Sequence, residues 1–129
     1  SFVTKNKNAH VFASLGQLRY LSCIAQVDSV VGNSSSGLAE VPTFKKATIN
    51  ISDRQKGRIQ SESVINCSPI SSDIKMAIAK SYTQEFLNSL LYVKNPYGDG
   101  GAAERIINTL KPLKFDSLIK KEFYDLESK

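Results

Sequence analysis

The chain has no tryptophan, one histidine, one methionine, two cysteines and four prolines in 129 residues. Each scarcity removes a class of function. Cys23 and Cys67 stand far apart, with no CxxC pair and no histidine beside either. A disulfide scaffold or a zinc module needs a denser set. The two thiols read as small buried side chains in a reducing cytoplasm, with a disulfide or metal site as the other reading. His10 opens the short run HVFA. Alone it makes a poor metal site, and it reads as structural rather than as a base. Apolar runs are short, as in Leu90 to Tyr92, against the roughly 18 residues of a membrane span. The opening SFVTKNKNAH lacks the apolar stretch of a secretory signal and does not begin with Met. The chain therefore reads as a cytoplasmic, soluble domain cut from a longer protein, with no membrane partner and no metal.

What is present fits one globular domain over 1–129. Hydrophobic residues make up 41% and charged residues 22%, enough for one core. The net charge is +5, and it is uneven. Residues 1–64 hold eight Lys/Arg against four Asp/Glu, and residues 65–129 hold nine against eight. Most of the excess lies in Lys45, Lys46, Arg54, Lys56 and Arg58, against Asp53. A concentrated basic patch favours an anionic partner; a solvated basic face is the plainer alternative.

Periodicity predicts alternating strands and helices. AHVFASLG reads as a short strand turning into a helix capped by Ser14. In that helix Leu15, Leu18, Leu21 or Ser22, and Ala25 recur at helical spacing. DSVVG is a β-branched strand ending at Gly32. SSSGLAEVP opens a short helix that Pro42 closes. ATINI and SVINC are further strands. PISSDIKMAIAKSYTQEFLNSLLYV reads as one long helix, capped by Ser71 or Ser72, with Asp73 in its first turn. Its buried stripe is Ile74, Ala77, Ile78, Tyr82, Phe86 and Leu90. NPYGDGG breaks it. A helix over AAERIINTL follows, with Ile106, Ile107 and Leu110 on one face, and the last helix is expected over 113–129. Short, β-branched, nearly continuous strands indicate a parallel sheet flanked by helices, an α/β, Rossmann-like domain. Ligands of such sheets sit at the carboxyl ends of the strands, here the loops 12–15, 32–40 and 52–58.

The loop GNSSSG draws attention first. A strand end followed by a helix start presents free N–H groups and a partial positive charge, both suited to phosphate. Glycines let the backbone turn and serine hydroxyls add donors. GxxxxGK[ST] and GxGxxG are both absent. Glu40 looks misplaced beside a phosphate until a ribose is considered, whose two vicinal hydroxyls a carboxylate accepts. Arg54 could then face a diphosphate. An ordinary capped helix with an exposed Glu40 fits the same pattern. NPYGDGG reads as a structural turn, Asp99 favouring the turn and Gly100 and Gly101 supplying positive φ, with ligand contact as the alternative.

GNSSSGLAEVP, TINISDRQKGR and NPYGDGGAAERI, in this order, resemble the C-terminal half of UDP-N-acetylglucosamine 2-epimerases. DRQKGR and SLGQLRYL point to the hydrolysing branch that feeds sialic-acid synthesis. The resemblance runs from about Ser14 to Leu110. It implies a glycosyltransferase-B type fold of two Rossmann-like domains, with UDP in the cleft and no metal or nicotinamide cofactor. It implies that UDP-N-acetylglucosamine and water give N-acetylmannosamine and UDP through a glycal-like intermediate. On this resemblance Ser34 and Ser35 match the serines that hold the diphosphate. Glu40 matches the glutamate that binds the ribose hydroxyls, and Arg54 the arginine of the UDP site. Ser14 and Leu15 fall in the loop that flanks the uracil.

Two positions depart from the family pattern: Ser52, where glycine is frequent, and Gly101, where a larger polar residue is frequent. No catalytic residue is expected in this chain, because the acidic groups that move protons belong to the N-terminal domain. Nor does His10 sit in the family's histidine motif. The partners implied are UDP or UDP-N-acetylglucosamine and the missing N-terminal domain, with homo-oligomerisation open. Two alternatives stand beside this reading. One is a non-hydrolysing epimerase or another glycosyltransferase-B enzyme. The other is a basic nucleic-acid-binding module, for which the only aromatic adjacent to the basic residues is Phe44.

Overall fold

A computed structural model of the chain describes residues 2–114. The expected helix over 113–129 lies almost wholly outside them. The chain divides into two compact units, Ser1–Gly98 and Asp99–Lys129. In the first, α1 spans Phe2–Lys5, α2 Gly16–Gln26, β1 Ser29–Gly32 and α3 Ser36–Ala39. A 3₁₀ turn covers Val41–Phe44, followed by β2 at Ala47–Ile51, β3 at Val64–Cys67, α4 at Ser71–Ser81 and α5 at Gln84–Leu90. In the second unit α6 spans Ala102–Leu110.

The three strands form a parallel sheet in the order β1-β2-β3. The register pairs Val31 with Ile49 and Ile49 with Ile65. Alternation along β2 then sorts its side chains. Ala47 and Ile49 face one way and join Ile65, Ala77, Phe86, Leu90 and Val93 in the main core. Thr48 and Asn50 face the other way and are buried too. There α3 packs on β2, and α2 packs on the 3₁₀ turn. Covered on both faces, β2 reads as a nearly continuous apolar and β-branched run, interrupted only by Asn50, which is why its ends are plain in the sequence. The Rossmann-like α/β reading holds.

Several expected elements differ. The run from His10 to Ala13 forms no strand. Val11 and Phe12 are 74% and 64% exposed; a short apolar run without a neighbouring strand has nothing to satisfy its ladder. Ser14 accepts from the N–H of Gly16 at 3.2 Å, but Leu15 occupies the cap position. The buried face of α2 passes through Ile24, and Leu18, expected inside, is 81% exposed. Pro42 does not end the helix at α3: it lies in the first turn of the 3₁₀ segment, where its missing N–H costs nothing. Ile70 holds the cap position of α4, and neither Ser71 nor Ser72 caps it.

The long helix predicted over 69–93 is two helices. Thr83 adopts extended angles and its Oγ1 accepts from the N–H of Phe86 at 3.3 Å, so it caps α5. Tyr82, expected in the buried stripe, faces solvent and donates to the Asp28 carboxylate at 3.3 Å. Thr83→Ala removes that cap, and we expect it to lower stability by about 1 kcal/mol, read as a shift of the urea midpoint without a change in slope.

Most of the NPYGDGG run has a structural role. Asn95 Nδ2 donates to the carbonyl of Ala39 at 2.7 Å and to Thr43 Oγ1 at 2.8 Å. Its Oδ1 accepts from the N–H of Tyr97, whose hydroxyl donates to the carbonyl of Ile59. Asn95 therefore ties the segment carrying Glu40 to the chain after α5. In the second unit Gly101, with φ 71°, occupies the cap position of α6, a backbone that glycine adopts at least cost.

Candidate functional site

The site is built from the loops after β1 and β2 and from α2. The β1 strand ends at Gly32, and Asn33 to Ser35 lead into α3. Ser34 Oγ accepts from the N–H of Ser36 at 3.3 Å, and its carbonyl accepts from Gly37 at 3.2 Å. No group among the described residues accepts from the N–H of Ser34 or Ser35. Ser34 and Ser35 are exposed residues immediately ahead of the helix.

Glu40 follows one turn later. Its Oε2 accepts a short hydrogen bond from Ser36 Oγ. Ser36 Oγ is also 2.6 Å from the Tyr20 hydroxyl. Ser36 has one proton and gives it to the carboxylate, so Tyr20 is the donor to Ser36. The relay Tyr20 to Ser36 to Glu40 fixes the carboxylate from behind, and charge-assisted bonds of this kind are the stronger ones. A cavity of about 510 Å³ opens beside it, lined by Phe12, Ser14, Leu15, Gly16, Gln17, Tyr20 and Glu40. Thus the structure brings Ser14, Leu15 and Glu40 to one cavity.

The second group gathers at Asn33. The loop after β2 carries Arg54, whose Nη1 lies 3.5 Å from the Asn33 carbonyl and 3.4 Å from its Oδ1. Those are long, weak contacts. Gln55, buried behind it, donates to the same carbonyl at 2.7 Å and anchors the loop to the end of β1. Arg54 is exposed and loosely held at Asn33, the residue that precedes Ser34 and Ser35, free to turn onto an anion. The basic cluster seen in the sequence is divided: Lys45 and Lys46 precede β2, whereas Arg54, Lys56 and Arg58 follow it. Lys45 spends its ammonium on the carbonyl of Leu91 at 2.6 Å. A five-residue strand separates the two halves, on the order of 15 Å.

Tyr20, Ser36, Gln17, Phe12 and Gln55 join the site without having been singled out from the sequence. Tyr20 meets Ser36 across sixteen positions, a contact that spacing alone does not reveal. Cys67 is no nucleophile in waiting: burial first, and the Asp73 carboxylate second, push its thiol up, so it stays protonated near neutral pH. Among the described residues no three His, Cys, Asp or Glu come together to hold a metal, and no helix is long and apolar enough to cross a membrane.

Residues 1–111 match the model of a family described as UDP-N-acetylglucosamine 2-epimerase. Among curated relatives, the chain is 40% identical over 124 residues to GDP/UDP-N,N'-diacetylbacillosamine 2-epimerase (hydrolyzing) of Campylobacter jejuni, covering 93% of this chain and 32% of that protein. It is 39% identical over 108 residues to the polysialic acid biosynthesis protein P7 of Escherichia coli, covering 83% and 28%. It is 30% identical over 113 residues to UDP-N,N'-diacetylbacillosamine 2-epimerase (hydrolyzing) of Legionella pneumophila, covering 87% and 29%. The chain thus spans about a third of the length of these relatives.

Proposed function

Since the chain belongs to the UDP-N-acetylglucosamine 2-epimerase family, we propose that it is the part of a hydrolysing 2-epimerase that holds UDP. The observation that carries this reading is the braced carboxylate of Glu40 beside a nucleoside-sized cavity, with Arg54 loosely held at the adjoining serine loop. Glu40 accepts from the ribose 2′- and 3′-hydroxyls. Ser14 and Leu15 flank the uracil, the ring meeting backbone groups there. The N–H and hydroxyl groups of Ser34 and Ser35 take the diphosphate, and Arg54 closes on it.

This arrangement bears on the leaving group. In the proposed reaction the C1–O bond to UDP breaks, the electron pair goes to the β-phosphate oxygen, and a proton leaves C2, giving a glycal. Water then adds its hydroxyl at C1 while a proton returns to C2 on the opposite face. Arg54 and the serine loop stabilise the charge that develops on the diphosphate. The groups that move protons belong to the remainder of the longer protein. The first reading takes N-acetylglucosamine as the sugar and N-acetylmannosamine as the product, as the resemblance to the sialic-acid branch implies, and a relative named for polysialic acid biosynthesis fits that branch. The two bacillosamine relatives support a second reading in which the sugar carries two acetamido groups. UDP is common to the printed names of both bacillosamine relatives, that of Campylobacter jejuni naming GDP beside it.

Calorimetric titration of the chain tests this. We expect weak UDP binding, with uridine at least about tenfold weaker because it lacks the charged diphosphate contacts. A folded sample showing no heat at millimolar UDP, or equal affinity for uridine, contradicts the proposal.

A further inference from the structure

A second cavity lies at the carboxyl ends of β2 and β3. It measures about 300 Å³ and includes Asn50, Asp53, Lys56, Gln60 and Asn66 in its lining. It adjoins another of about 510 Å³ lined by Cys67, Ser68 and Pro69, the two sharing Ser52, Asp53 and Asn66. Together they form a groove in the range of small-molecule sites, about 300–1,000 Å³.

Its floor is a line of three carboxamides. Asn50 Nδ2 donates to Asn66 Oδ1 at 2.7 Å, and Asn66 Nδ2 donates to Gln60 Oε1 at 2.8 Å. Asn50 is 2% exposed, and its Oδ1 has no hydrogen-bond partner. A buried acceptor left unpaired is costly, and one that lines a polar cavity calls for an incoming donor. The fixed charges of the lining, Asp53 and Lys56, cancel. The Cys67 thiol is neutral, and the remaining polar groups are amides and hydroxyls. A phosphate finds no excess positive charge here. A neutral ring bearing hydroxyl and acylamino groups finds both donors and acceptors.

We propose that this carboxamide-floored groove is the subsite for the acylamino sugar, with Asn50, Asn66 and Gln60 reading its neutral substituents. This rests on the UDP reading above. The groove begins at Asp53, whose chain neighbour Arg54 touches Asn33 at the serine loop, so a sugar linked to the diphosphate lies within reach. The backbone at Ser52 is left-handed, with φ 71°. That strained turn is held by its N–H donating to the carbonyl of Cys67 at 2.9 Å, and it joins the walls of the groove.

The test compares UDP with UDP-N-acetylglucosamine on the parent chain and on Asn66→Ala and Gln60→Ala. ¹H–¹⁵N spectra follow the side-chain amides. We expect the amide pairs of Asn50, Asn66 and Gln60 to shift with UDP-N-acetylglucosamine and not with UDP. The two variants should bind UDP as the parent does and lose about fivefold in their preference for the sugar nucleotide, the worth of one hydrogen bond. Gln60→Ala keeps the part-buried bond between Asn50 and Asn66, so it remains informative if Asn66→Ala unfolds. Retained UDP binding with an unchanged preference, or amide shifts equal for both ligands, overturns the subsite alone; an ordered water then satisfies Asn50. Loss of all UDP binding by the folded parent overturns the UDP reading and the subsite with it.

Discussion

Arg54→Ala lowers the affinity of the chain for UDP by roughly 10- to 100-fold, the worth of a hydrogen bond between charged groups at about 1.5–3 kcal/mol. The side chain is exposed, and its contacts to Asn33 lie at 3.4 and 3.5 Å. Little native-state energy is therefore at stake, and the unfolding midpoint stays within error of the parent. Gln55, not Arg54, holds the loop to β1 through its 2.7 Å bond, so the loop keeps its place in the variant. Arg54→Lys restores only part of the loss, since an ammonium cannot reproduce the planar fork that spans two phosphate oxygens. Calorimetry with UDP and a denaturation curve on the same sample separate the two effects. A variant that binds UDP like the parent removes Arg54 from the site.

Gly37→Ala destabilises the fold by about 1–3 kcal/mol. A methyl group built at Gly37 comes within 2.6 Å of Thr48 Cγ2. Thr48 cannot swing aside: it is buried, and its Oγ1 donates to the carbonyl of Gly37 at 2.8 Å. Either α3 lifts from β2 or the threonine gives up its hydrogen bond. Lifting α3 displaces Ser36 and hence the brace behind Glu40, so UDP affinity falls as well. Thr48→Ser deletes the offending methyl and keeps the hydroxyl. The double variant Gly37→Ala/Thr48→Ser should thus recover about 1 kcal/mol relative to the sum of the single changes. Additive single effects in urea titrations would place the cost elsewhere than at this contact.

The sheet was legible because β2 is buried on both faces and its composition says so. The edge strands β1 and β3 are only partly buried, and their ends were close because their β-branched residues are bounded by Gly32 and by Cys67 ahead of Ser68 and Pro69. The helix break at Thr83 was hidden because the apolar spacing from Ile74 to Leu90 continues through it; only the capping chemistry of one threonine marks the stop. His10 to Ala13 misled in the opposite sense, since a β-like pattern carries no information about whether a neighbour exists to pair with. In the site, Ser34, Ser35, Glu40 and Arg54 were visible as residue types whose chemistry suits a nucleotide. Tyr20 and Ser36 were not, because their relay is a through-space contact. The basic cluster looked single in the chain and is split in space by the length of β2. Asn50 carried no signal at all until its unpaired oxygen was seen to line a cavity.

The central claim is that one nucleotide spans both halves of the site, with its base and ribose between Phe12 and Glu40 and its diphosphate between the serine loop and Arg54. Backbone ¹H–¹⁵N shift mapping of the chain with UDP tests it most directly. The account predicts the largest shifts at Leu15 to Gln17, at Ser34 to Glu40 and around Arg54, and none at Lys45 or Lys46. Shifts centred on Lys45 and Lys46, or spread over all basic residues and abolished by modest salt, would contradict it.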